Sequence, residues 1–395
     1  MQRTVLKSIA LGFFIVALFL IFDSRSEVVR ATKAQAPQEK TVDQVGKNIK
    51  VLTGLPESQL IPLMNFFAAS MGRRCNFCHV NNQGQWDYAS DAKPEKAAAR
   101  EMIKMVLDIN KTTERLKLDP VSCYTCHRGR TSPQSIPMLP LPLPSPPPNG
   151  GAAGGPTPGA SPQASPSPTP VLPSADEIFS KYAAALGGQA SIDKLKSRTA
   201  KGTVTQANGN SFQFELTQAA PDKFYLLVTT PQGTVERGFN GQVGWEKTTR
   251  GVREITGAEL ITFKATNGLF TLLKLKEQYS KPPRVRKDKL NDHDVYIVDG
   301  TTIENRRMRL YFDAASGLLL RRITTMQTMV GIIPDQIDLE DYHEADGLKF
   351  PFTARAAALE VGNPTSTRTF TEIKLNVPVD ESKFNMPPTP KATTP

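Results

Sequence analysis

The chain has 395 residues, a 39% hydrophobic share and a formal net charge of +10. Such a length and apolar content exclude a wholly disordered chain and suffice for two or three domains. The positive balance does not indicate nucleic acid, because Lys, Arg, Asp and Glu alternate along most of the chain and no basic stripe forms.

Arg3 and Lys7 precede the uncharged run SIALGFFIVALFLIF at 8–22. A basic start followed by an apolar core is an export address, and the run falls short of the about 20 residues that a spanning helix needs. Residues 1–30 are therefore expected to be a signal peptide or a membrane anchor, with cleavage and retention both open. The protein is expected at the periplasmic face of the cytoplasmic membrane.

A polar stretch leads into 46–132, where both cysteine motifs lie. In LIPLMNFFAASMGRRC, helical periodicity puts Leu60, Met64, Phe67 and Met71 on one face. The motif Cys75-Asn76-Phe77-Cys78-His79 follows. The stretch SDAKPEKAAAREMIKMVLDINKTTERL predicts a long helix with Ser90 or Asp91 as its N-cap and Ala98, Met102, Met105 and Ile109 along one side. Cys123-Tyr124-Thr125-Cys126-His127 closes the segment.

The two motifs use all four cysteines of the chain. Cys-x-x-Cys-His is the attachment pattern of c-type heme. Two thiols add to the vinyl groups on one porphyrin edge, and the adjacent histidine falls beneath the iron as its proximal ligand. A zinc site fits poorly, since the Cys pairs lie much farther apart than the about 15–20 residues of zinc ribbons. A redox dithiol leaves the histidine after each pair unexplained, and disulfides across two intervening residues are strained. Two covalently attached c-type hemes are thus the expected cofactors.

The sixth iron ligand follows from scarcity. The chain has four histidines, and two are the proximal ones. His293 and His343 lie beyond the proline-rich stretch and read as surface or core residues. Methionine is the remaining donor, and it raises the reduction potential in a way that suits electron transfer. Met64 is preferred over Met71 at the first heme, because about three helical turns separate it from Cys75 and the chain can return through Gly72. At the second, periodicity leaves Met102 and Met105 both open. A methionine stripe is more often core than ligand, but the shortage of histidine reverses that weighting here.

Residues 133–174 read as a Pro/Gly/Ser-rich disordered linker. Beyond it, SADEIFSKYAAALGG (174–188) predicts a helix capped by Ser174 and ended by Gly187. Short alternating runs then recur, such as SFQFELTQ, KFYLLVTT, DVYIVDG and RMRLYFD, with turn signals at Asn208-Gly209 and Ala315-Ser316-Gly317. They predict an antiparallel sheet of roughly eight to eleven strands, covered by a helix over 257–278. The basic run KPPRVRKDK (281–289) could dock an acidic partner or lipid headgroups, though a solvated hairpin is the favoured reading. No nucleophile has a nearby base, so an electron-transfer protein is expected and not an enzyme. The fold class is multidomain: a mostly α-helical diheme c-type cytochrome domain (46–132), the Pro-rich linker (133–174), and an α+β domain with a large curved antiparallel sheet (175–390).

The stretches LMNFFAASMGRRCNFCHV, YASDAKPEKAAAREMIKMVLDIN and VSCYTCHRG together resemble the cytochrome c subunit of photosynthetic reaction centres. That family typically carries four hemes in two paired halves, each ordered as methionine helix, heme motif, long helix, heme motif. The likeness covers about 46–131, one paired half, and the family's distal histidine has no counterpart there. The resemblance implies Met64 as sixth ligand of the His79 heme and Met102, inside AAAREM, as sixth ligand of the His127 heme. It also implies electron donation to the oxidised special pair, with redox partner proteins that include reaction centre core subunits. The alternative is a periplasmic or respiratory membrane-associated carrier fused to a binding module. Two methionine-capped irons argue against a heme enzyme such as a peroxidase. Arg73, Arg74, Arg128 and Arg130 flank the motifs and could pair with heme propionates or form a docking face. The C-terminal region more weakly resembles the periplasmic carriers and receptors of outer-membrane lipoproteins, which implies a binding or docking module.

Overall fold

The computed structural model describes residues 39–133, 172–359 and 365–388. The expected export segment (1–30) and the interior of the expected linker (133–174) lie outside the described residues.

Four helices organise the segment with the motifs: α1 (Val42–Val45), α2 (Glu57–Met71), α3 (Pro94–Arg115) and α4 (Cys123–His127). A small hairpin of β1 (Val80–Asn82) and β2 (Gln85–Asp87) follows the first motif. Helix α2 ends at Gly72, whose left-handed φ of 62° lets its N–H reach back to the Ala68 and Ala69 carbonyls. Its fully buried stripe is Leu63, Phe66 and Ser70. The face expected from periodicity, with Leu60, Met64, Phe67 and Met71, is the neighbouring one and is only half-buried. Helix α3 starts later than expected. Its N-cap is Lys93, with Pro94 at the first helical position, where the fixed φ of proline suits the helix and disfavours helical geometry at the residue before. Ser90 and Asp91 serve the preceding loop instead. The buried positions of α3 are Ile103 and Val106, while the expected stripe of Ala98, Met102, Met105 and Ile109 faces out. Helices α2 and α3 supply most of the helix of this segment, and the first motif itself sits in a 3-10 turn (Cys75–Phe77).

The C-terminal part begins with α5 (Ala175–Leu186), α6 (Gln189–Asp193) and later α7 (Gly257–Asn267). At the start of α5, Glu177 N–H donates to Ser174 Oγ at 3.2 Å and Ser174 N–H donates to the Glu177 carboxylate at 2.7 Å, the reciprocal cap that the sequence predicts. The helix expected over 257–278 stops at Asn267, before Gly268. Thirteen strands form one sheet, against the eight to eleven expected. They are β3 (Ser197–Gln206), β4 (Ser211–Ala219), β5 (Lys223–Thr230), β6 (Gly233–Phe239), β7 (Gly244–Thr248), β8 (Gly251–Ile255), β9 (Arg284–Leu290), β10 (His293–Thr301), β11 (Arg307–Asp313), β12 (Leu319–Thr328), β13 (Gly331–Ala345), β14 (Leu348–Ala358) and β15 (Thr365–Leu375). All neighbours are antiparallel, and the order is β8-β7-β6-β5-β4-β3-β15-β14-β13-β12-β11-β10-β9. Two meanders, β3 to β8 and β9 to β15, are thus joined where the last strand pairs with the first. The basic run at 281–289 contributes β9, an edge strand whose charges guard against pairing with another chain.

Alternating residues such as Phe214 and Leu216 of β4 and Met308, Leu310 and Phe312 of β11 make one buried face, on which Ile178, Phe179 and Tyr182 of α5 pack. A second core crosses from one part of the chain to the other. Val42, Leu52, Leu55, Leu63, Phe66, Ile103 and Val106 cluster with Val330 and Ile333 from the β12–β13 turn and β13.

Candidate functional site

At the first motif the 3-10 turn is closed by Cys78 and His79 N–H groups donating to the Cys75 carbonyl at 3.3 and 3.0 Å. This tight turn keeps both thiols and the imidazole within one short stretch of chain. Burial pushes the Cys78 thiol pKa up. His79 is half-buried, its ring meets Tyr88 edge-on at 5.2 Å, and Tyr88 stacks in parallel on Trp86 at 5.5 Å. His79 Nδ1 is buried without a hydrogen-bond partner. Burial lowers the His79 pKa, the Lys96 charge lowers it further, and the Tyr88 backbone partly offsets both, so the ring favours its neutral, ligating form.

At the second motif α4 is packed on α2. Gly129 N–H donates to the Ser70 carbonyl at 2.8 Å, and a Cβ at Gly72 would collide with the Gly129 carbonyl oxygen. Burial pushes the Cys123 thiol up to about 11. His127 is 7% exposed, and its Nδ1 lies 2.9 Å from the Arg130 carbonyl oxygen. That acceptor holds the proton on Nδ1 and leaves Nε2 as a donor for a metal.

The residues present fit a heme at each motif. All four cysteines are free thiols, one histidine has an oriented Nε2 and the other an orphaned Nδ1. Apolar surface for a macrocycle stands open nearby in sequence, with Met102 at 38%, Met105 at 52% and Tyr124 at 54% exposure. Among the described residues no group of three or more His, Cys, Asp or Glu converges as a metal-ion site.

The expected methionines are placed differently. Met64 borders the shared core, as does Cys123, whereas Met102 is exposed on α3. His293 and His343 are surface residues, each against a carboxylate: Asp313 at 2.9 Å and Asp341 at 2.7 Å. Arg73, Arg74, Arg128 and Arg130 are exposed, with Arg73 over the Phe77 ring at 5.4 Å. Periodicity did not reveal Tyr88 or Lys96. One signal was available: Lys96 and Arg100 are like charges four residues apart on a helix, which repel unless something else engages them. Among the described residues no helix is long and apolar enough to cross a membrane.

Residues 17–143 match the family model of the photosynthetic reaction centre cytochrome C subunit. The photosynthetic reaction center cytochrome c subunit of Rubrivivax gelatinosus is 34% identical over 99 residues, 24% of this chain and 25% of that protein. Cytochrome c-554 of Chloroflexus aurantiacus is 33% identical over 88 residues, 21% of this chain and 20% of that protein. The resemblance read from the motif segment therefore holds, over about a quarter or less of each relative's length. Among solved structures, a LolA superfamily protein from Nitrosomonas europaea shows a TM-score of 0.40 at 12% identity, covering 54% of this chain and 98% of that one. An outer membrane lipoprotein-sorting protein domain from Vibrio parahaemolyticus shows 0.37 at 11%, covering 53% and 95%. Likeness of that degree carries no argument about what the sheet does.

Proposed function

We propose that this protein is a c-type cytochrome with two covalently attached hemes that carries single electrons, and that its partner is the oxidised special pair of a photosynthetic reaction centre. Cys75, Cys78 and His79 would hold one heme with Met64 as sixth ligand. Cys123, Cys126 and His127 would hold the other with Met102. The buried imidazole of His127, with Nδ1 at the Arg130 carbonyl and Nε2 left over, is the observation that carries the reading. A bound heme supplies an iron that alternates between ferrous and ferric states, and the protein supplies ligands, burial and orientation. On this reading the role is electron transfer and not catalysis, at the periplasmic face of the membrane.

A dark, respiratory or general periplasmic carrier is the second reading. It is favoured by the short match, since only about a quarter of the reaction-centre relative is covered. Flash-induced absorbance of the c-type heme in native membranes, with the gene present and deleted, decides between them. Fast photo-oxidation that disappears on deletion supports the donor role. Hemes that are reducible but indifferent to light support the second reading.

A further inference from the structure

The core face of the sheet carries a pair of guanidiniums that no carboxylate among the described residues balances. Strand alternation puts both on that face: Arg198 of β3 lies on the same side as the buried Ala200, and Arg368 of β15 pairs in register with Val204. Both side chains are half-buried. The Arg198 guanidinium lies over the Phe350 ring at 5.0 Å and that of Arg368 over the Phe214 ring at 5.3 Å, and both rings belong to the main core. Gly202 of β3 lets the Phe214 ring lie close, since a Cβ there would strike the ring and the Thr369 carbonyl oxygen.

Neither guanidinium is used up. Arg198 Nε donates to Gln218 Oε1 at 2.6 Å, and Gln218 is fixed in turn by donating from Nε2 to the Asn267 carbonyl at 2.5 Å. The terminal nitrogens of Arg198 have no acceptor among the described residues, and Arg368 has neither acceptor nor ion pair among them. Burial, and then the Arg368 charge, push the Arg198 pKa down to about 10, and burial lowers that of Arg368. Asp335, a carboxylate of the same face on β13, answers to Arg322 and Arg306 instead.

Around the two cations the face is apolar and only half-buried, with Val204, Val228, Ala354 and Phe370 at the margin of the core. A charge against apolar surface is costly unless it is paired. The fork of N–H groups on a guanidinium matches a carboxylate. A small hydrated anion would pair the charges and leave the apolar margin bare, whereas a neutral chain would cover the margin and leave the charges unpaired. A ligand with a carboxylate at one end and an apolar body meets both demands.

We propose that the core face across β14, β15, β3 and β4 binds an apolar carboxylic acid as its anion, with Arg368 and Arg198 receiving the carboxylate and Phe370, Val204 and Val228 receiving the body. What the site selects is the charge, since apolar surface alone would take a neutral chain equally well. Such a site is independent of the hemes.

The test is isothermal titration calorimetry of the full-length holoprotein with octanoate, 1-octanol and acetate, as wild type, R368M, R198M and R368K. Octanoate should bind the wild type saturably, and R368M should weaken it by about tenfold or more, through loss of a hydrogen-bonded charge. R198M should weaken it less, because Gln218 already holds part of that guanidinium. R368K keeps the charge without the fork and should fall between wild type and R368M. Octanol and acetate should each bind the wild type about tenfold more weakly than octanoate or worse. Octanol binding as tightly as octanoate would reduce the site to apolar surface, and acetate binding as tightly would reduce it to an anion subsite. Either result, no octanoate binding, or an affinity unchanged in both R368M and R198M overturns the proposal. The comparison of octanoate with octanol needs only the wild type, so it decides even where a variant fails to fold.

Discussion

His127 and His79 have the same motif and different surroundings. One imidazole is buried with Nδ1 at a carbonyl of its own turn, and the other is half-buried with its Nδ1 unpartnered. Substitution of the proposed sixth ligands is the direct test at this scale. M64A and M102A should each lower the potential of one heme and open its iron to carbon monoxide, while M105A should leave both unchanged; difference spectra of the reduced protein with carbon monoxide check this. Elsewhere, burial raises the Asp335 pKa above its ordinary 3.8 against the opposing charges of Arg322 and Arg306. The folded state therefore binds this proton more tightly than the unfolded chain does. That stabilisation is complete below the unfolded value and fades as pH rises through the folded one, so D335N should remove this slope from urea midpoints measured across acidic pH.

Among elements, α2 and α4 carry a heme motif by backbone contact as much as by side chains. Gly72 combines a left-handed φ with a close approach to the Gly129 carbonyl, and only a residue without Cβ meets both demands. G72A should destabilise the motif segment by more than about 1 kcal/mol, the usual left-handed penalty, because the collision adds to it; thermal melts followed in the heme Soret band would show this. The cap of α5 is an independent device. S174A should cost about 1 kcal/mol in urea unfolding of the sheet and leave the heme spectrum unchanged. The late start of α3 follows from Pro94, which disfavours the helical geometry that a Ser90 or Asp91 cap would require at Lys93.

For the whole molecule, the shared core matters most. Phe66 of α2 packs against Val330, Ile333 and the backbone at Gly331, where a Cβ would strike its ring. A core shared by both parts predicts one transition: Soret and far-UV signals should melt together in the wild type. F66A, a buried aromatic truncation worth about 3–5 kcal/mol, should separate the two curves. Coincident curves in F66A would mean that the two parts are coupled by something other than this cluster.

The sequence alone carried the motifs. Cys-x-x-Cys-His is a local covalent pattern, so its thiols and histidine are legible without any fold, and so are the Ser174 cap and the alternating strands, which depend on neighbours within a few residues. Only the tertiary structure decided the rest. Which stripe of α2 is buried and that β13 completes the core of the motif segment both depend on groups brought together from distant parts of the chain. Periodicity can say that a helix has an apolar face, but the partner that covers that face is chosen by packing.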